Sequence, residues 1–265
     1  MAIWGASDFS GGVGARRVNA FLFTAVVHCS GVATMVWVAL IAHDPFPPRA
    51  SLLWALASGA IGGFSLALFY RALASGNMGL IAPVSAVLGA GIPTVVTAFV
   101  AGFPGYRHIA GFLLAGIGVW LISRTEQGSN RPQGLGTAVL AGIGFACFYL
   151  FVNKAGHESA LWIAWISRCA SLTVTSIFVL LTRQVRGIPR PVLGIAIFTG
   201  LLDILGSVLF VRAEQIGRLD TAVVLSSLYP AITVLLARFF LHEHFSRGRT
   251  VGMLAALAAV PLVAG

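Results

Sequence analysis

The sequence predicts an all-α membrane protein whose ten transmembrane helices form two inverted five-helix repeats. Three observations carry that expectation: the composition, the lengths of the apolar runs, and an internal repeat. Of 265 residues, 58% are hydrophobic and only 9% are charged, whereas a soluble domain carries about 25% charged residues. A mean hydropathy of +0.92 leaves no polar coat for a large water-soluble core, so the solvent of this chain is lipid. Seventeen Lys and Arg against eight Asp and Glu give a net charge of +9. These basic residues stand singly or in pairs between apolar runs, so anionic lipid headgroups are their expected partners and nucleic acid is not. Cys29, Cys147 and Cys169 lie far apart in apolar segments, with neither metal-ligand spacing nor a disulfide framework.

A hydrocarbon layer of about 30 Å needs about 20 apolar residues as helix. Helix is the expected form because lipid cannot satisfy backbone polar groups, and the alternation of a membrane barrel is absent. Met1–Ala15 is the first run, short and opening directly into AIWGASDF; a trimmed N-terminus or a misplaced start is the expectation there. A cleaved signal peptide is not expected, because no basic leader or A-x-A site is present. Phe21–Ala42 follows Arg16-Arg17, Leu52–Ala74 follows the polar joint His43–Arg49, and Gly79–Ala101 follows Ser75-Gly76-Asn77. Tyr106–Ser123 closes the first half before the polar stretch Arg124–Arg131. The second half reads Gly134–Val152, Leu161–Thr182, Val192–Val211, Thr221–Leu241 and Thr250–Gly265, with joints at Arg183–Arg190 and His242–Arg249. Trp54, Trp120, Trp162 and Trp165 fall near run ends, where interfacial anchors sit.

Shifted by 141 residues, the chain aligns with itself without a gap from position 52 onward. Leu52 meets Leu193, Gly59 meets Gly200, Ser85 meets Ser226, and FYRALASG meets FVRAEQIG. Chance matching of Leu/Ala/Gly-rich segments does not readily place a scarce arginine twice, so duplication is the reading. The repeats are 1–124 and 134–265. Five passes is an odd number, so the second copy starts from the opposite side of the membrane. Inverted repeats of this kind build many secondary transporters.

WGASDFSGG at 4–12, FYRALASGNMGLIAPVSAVLGAGIP at 69–93, and LLDILGSVLFVRAEQIGRLDTAVVLSSLYPAITVLLARFFLHEHFS at 201–246 resemble the EamA family of the drug/metabolite transporter superfamily. The resemblance spans essentially the whole chain as two EamA repeats. It implies a ten-helix exporter or facilitator of small metabolites, with a central cavity lined by the first four helices of each half. The family often carries a G-E pair after the fourth helix of a half. Here the second half keeps the acid as Glu243, whereas the first reads AGFPGYRH, so the two gates are expected to differ.

Charges inside apolar runs are costly, about 2.5–3.5 kcal/mol on insertion scales, and mark function by default. Arg168 lies about 11 Å into its helix and Asp203 about 12 Å into the next from the same face, by helical rise. A pair between them is therefore geometrically open. It reads as a structural salt bridge, as a cavity charge that contacts the solute, or as charges that snorkel to the interface. Asp8 and His28 form a rough counterpart, each about 10 Å from the opposite face. Asp8 and Asp203 are the candidates if a proton is the coupling ion. Pro83, Pro93 and Pro230 are expected to interrupt and kink the fourth helix of each half, freeing backbone groups to line a cavity. Ser85, Ser226 and Ser227 are candidate solute contacts, against the plainer reading that they bond their own helices. Tyr229 is the favoured contact, because ring and hydroxyl suit a half-apolar ligand.

Weaker signals carry less. His242-Glu243-His244 lacks a third ligand for a metal, and Gly11-Gly12-x-Gly14 lacks the strand of a nucleotide loop. Neither a cofactor nor a metal is expected. Gly59-x-x-x-Gly63 reads as close packing within one bundle more than as a dimer face, so a monomer or weak homodimer is expected. A small organic solute moved by alternating access is the leading function, with no nucleotide-binding motif to drive it. A membrane-embedded enzyme acting on a lipid or peptide is the rival, and it would need a nucleophile–base pair or H-E-x-x-H; a non-transporting scaffold is the third reading. The expected location is the plasma (inner) membrane of a bacterium. Odd-numbered joints hold nine Lys and Arg against five in the even ones, which puts both termini outside. The resemblance implies both inside, and it is given more weight.

Overall fold

The structure, a computed structural model, describes residues 2–75, 78–103, 105–123, 134–156, 159–184, 187–241 and 247–264. Among them all regular secondary structure is helix, with no strand. The first half holds α1 (Ala2–Ala15), α2 (Ala20–Ala42), α3 (Arg49–Ala74), α4 (Met78–Val100) and α5 (Tyr106–Ser123). The second holds α6 (Leu135–Lys154), α7 (Ala160–Leu181), α8 (Arg190–Ile216), α9 (Leu219–Ser226), α10 (Tyr229–Leu241) and α11 (Arg247–Ala264).

Among the described residues, seven stretches are long and apolar enough to cross a membrane: Ala20–Ala42, Arg49–Ala74, Ile81–Val100, Leu135–Lys154, Ala160–Leu181, Arg190–Ile216, and Leu219–Leu241, which joins α9 to α10. The three remaining expected spans correspond to α1, with 14 residues, and to α5 and α11, with 18 each. Helix starts follow local chemistry. The Asn19 side chain accepts from the amides of Phe21 at 2.9 Å and Leu22 at 3.2 Å, which caps α2. Ser159 does the same for α7 through the Trp162 amide at 3.3 Å.

Two expectations need correction. Pro83 and Pro93 lie inside an unbroken α4, so they do not interrupt it. Neighbouring helices can hold such a helix together where its own ladder loses a bond. Pro230 differs, because the matching helix breaks at Ser227-Leu228 and Pro230 becomes the second residue of α10. There the missing amide has no helical partner to lose. The other correction concerns α8, expected to end at Val211 but running to Ile216. That extra turn and more carries Glu214, which is buried and accepts from Asn153 Nδ2 at 2.8 Å.

Polarity is distributed for lipid. Phe99, Val100 and Phe103 are at least 80% exposed, while Ser7, Thr24, Ser58, Ser85, Ser171 and Thr233 are buried. The packing interleaves the halves: α3 lies against α6 and α7, while α8 lies against α1 and α2. Similarly α4 packs on α6, α10 on α1, α2 on α7, and α5 on α11. Glycines permit these approaches. A Cβ at Gly59 would land on the Ser167 carbonyl of α7, and one at Gly200 on the Val27 carbonyl of α2. Hydroxyls then bridge the backbones: Ser171 donates to Gly59 O at 2.7 Å, and Thr233 to Gly5 O at 3.1 Å.

Candidate functional site

Arg168 and Asp203 meet where α7 crosses α8. Arg168 reaches Asp203 Oδ2 at 2.9 Å, and both side chains are more than nine-tenths buried. Ser207 stands one turn after Asp203, so both face α7. Its hydroxyl accepts from the same Arg168 terminal nitrogen and donates to the Asp203 carbonyl at 2.9 Å. The pair is thus tied to the backbone of α8, and its two charges cancel within the fold.

This ion pair forms one side of a cavity of about 480 Å³, counting its open mouth. α1 contributes Trp4 and Asp8, one turn apart. α3 contributes Gly62 and Leu66, also one turn apart, and α6 contributes Phe145, Phe148 and Tyr149. Tyr229, at the start of α10, completes the lining. Helical spacing explains each set, because residues three or four apart share a face. The first half therefore supplies part of the wall and the second half supplies the rest.

Aromatic rings lock together around the hollow. Trp4 lies 6.3 Å from Tyr149 and 5.6 Å from Phe210, and Tyr149 lies 4.8 Å from Phe210, centroid to centroid. Phe69 meets Tyr229 edge-on at 6.2 Å and Phe145 at 5.5 Å. The Trp4 indole donates to the Asp203 carbonyl at 3.3 Å, which fixes its plane. α1 is pinned further, since Ser7 donates to Thr199 O at 3.2 Å and Ser10 shares a hydrogen bond with Thr199 Oγ1 at 2.8 Å. Asp8 is only 6% exposed, yet it has no ion-pair partner among the described residues.

Of the residues expected to touch solute, Asp8, Arg168, Asp203 and Tyr229 reach the cavity. His28, Ser85, Ser226 and Ser227 do not line it. Ser85 is buried and donates across to Ala138 O of α6 at 2.9 Å, so its hydroxyl is spent on packing. Ser227 donates to Val224 O of its own helix at 2.8 Å. Ser226 is half-buried at the end of α9. His28 is fully buried on α2, and neither ring nitrogen finds a hydrogen-bond partner. It forms no ion pair with Asp8 among the described residues. Ser85→Ala should therefore lower stability by only about 0.6 kcal/mol, a typical membrane hydrogen bond, and leave solute binding unchanged. Thermal unfolding in detergent alongside a binding titration checks both halves of that expectation.

Trp4, Gly62, Leu66, Phe145, Phe148 and Tyr149 escaped the sequence reading. A signal for them existed. The 141-residue shift, extended back into the first helix, lays Trp4 on Phe145 and Asp8 on Tyr149. It also lays Gly62 on Asp203, so the cavity holds matched positions with unlike side chains.

Among the described residues no group of three or more His, Cys, Asp or Glu could hold a metal ion. His242, Glu243 and His244 lie outside the described residues, and so does the question of unequal gates that Glu243 raised. Residues 132–265 match the EamA-like transporter family. No curated protein matches the chain. A solved structure described as "Crystal structure of protein" matches with a TM-score of 0.67 at 17% identity, covering 98% of this chain and 93% of that one. At that identity the likeness speaks for the fold alone.

Proposed function

The chain belongs to the EamA-like transporter family, and from that premise we propose that it moves a small organic solute across the membrane by alternating access, as two inverted five-helix repeats. The observation that carries the proposal is the cavity, walled by helices of both halves and holding a buried ion pair beside an unpaired carboxylate. A hollow between two such halves can open to either side when one half rocks against the other.

The packing pattern supports the repeat. Exchanging the halves turns the α3–α6 contact into α8–α1, α3–α7 into α8–α2, and α4–α6 into α10–α1, and each of those contacts is present. Contacts α2–α7 and α5–α11 map onto themselves. Gly59 and Gly200, 141 residues apart, each press on a carbonyl from the second helix of the other half. No catalytic step belongs to this reading. The expected setting is the inner membrane of a bacterium, with the protein working as a monomer or weak dimer.

Trans-stimulated uptake of small organic solutes into proteoliposomes is the functional test; absence of stimulation for every solute class would count against transport. Topology offers an independent check. With Cys29, Cys147 and Cys169 replaced, Ser75→Cys and Ile216→Cys sit at repeat-equivalent positions at the ends of α3 and α8. An impermeant maleimide should label them from opposite sides of the membrane. Labelling of both from one side would remove the inversion.

A further inference from the structure

The charges around the cavity do not balance. Arg168 is matched by Asp203, and its terminal nitrogen is also engaged by Ser207. Arg168 Nε is buried without a hydrogen-bond partner, and the guanidinium charge is already matched by Asp203, so the pair brings no net charge to the hollow. Asp8 is different. It lines the cavity, is nine-tenths buried, and has no hydrogen-bond or ion-pair partner among the described residues. A lone carboxylate in such surroundings holds a proton or takes a counter-charge from a bound ligand.

The wall chemistry narrows what that counter-charge is. A hard metal ion takes about six or more oxygen ligands, and Asp8 belongs to no cluster of three acidic, His or Cys residues among those described. The rest of the lining is largely aromatic: Trp4 one turn before Asp8, Tyr149 against Trp4, and Tyr229 from α10. Aromatic faces attract organic cations, most strongly where water is excluded. Resting on the transport reading, we infer that the solute is a monovalent organic cation with a flat or apolar body. Its ammonium sits at Asp8, and its body lies among Trp4, Tyr149 and Tyr229.

The test uses three probes of similar size on the purified full chain in detergent: benzyltrimethylammonium, benzyl alcohol and phenylacetate. Isothermal titration should show the cation binding at least about tenfold tighter than either other probe. Asp8→Asn should erase that preference, and Asp8→Glu, which keeps the charge, should retain it. Equal binding of the three probes by the unaltered chain, or an intact preference in Asp8→Asn, overturns the inference. If Asp8→Asn fails to fold, the unaltered chain and Asp8→Glu decide alone. Counterflow of the same probes separates this inference from the transport reading. Cation preference without counterflow keeps the site and removes transport, whereas counterflow confined to the neutral or anionic probe keeps transport and removes the cation.

Discussion

Arg168→Leu should reduce solute counterflow at least about 100-fold and also destabilise the bundle. Removing one partner of a buried ion pair costs about 3–5 kcal/mol of stability, because the other charge is left stranded, and the loss of counterflow is expected separately, because the pair forms one side of the cavity. Here the stranded group is Asp203, which would keep only backbone-tethered Ser207 and the Trp4 contact nearby. Stability and transport should then separate. Adding Asp203→Leu to Arg168→Leu removes the stranded charge, so the double variant should recover much of the lost thermal stability without recovering counterflow. Two outcomes would contradict this. Counterflow of Arg168→Leu above half the unaltered level would show that the charge pair is only mortar. A double variant no more stable than the single one would show that the cost lies in packing volume, not in an uncompensated carboxylate.

That pair was legible in the sequence because charge is scarce here. With 9% charged residues, two opposite charges at matching depth on consecutive helices have few alternative partners. The all-helical architecture was legible for a related reason, since lipid leaves the backbone little choice. Hydroxyls were not legible. Ser85 and Ser227 looked like ligand contacts, but each spends its proton on a nearby carbonyl, and helix rotation, which sequence does not print, decides that. The aromatic wall was hidden differently. Trp4, Phe148 and Tyr149 sit among apolar residues on every side, so periodicity does not separate a cavity face from a lipid face. The end of α8 was missed as well, since its apolar run was expected to stop at Val211. The helix instead runs on and buries Glu214 against Asn153.

Gly59→Val and Gly200→Val should each cost more than about 3 kcal/mol, the upper end of ordinary overpacking. A side chain at Gly59 would meet the Ser167 carbonyl and Cα, and one at Gly200 would meet the Val27 carbonyl with Ser30. Rotamer changes cannot clear backbone atoms, so α3 would have to lift from α7, and α8 from α2. Lifting α3 also breaks the Ser171 bond to Gly59 O and disturbs the helix that presents Arg168. Gly194 is the internal control, because it is exposed on the same α8 and a Cβ there meets nothing within 4 Å. Gly194→Val should therefore stay within about 0.5 kcal/mol of the unaltered chain. Thermal unfolding of the three variants in detergent provides the comparison. The similar penalties expected at positions 141 residues apart follow from one contact built twice, second helix of one half against third helix of the other. A tolerated valine at Gly59 or Gly200 would mean those helices do not approach as closely as their carbonyl contacts require.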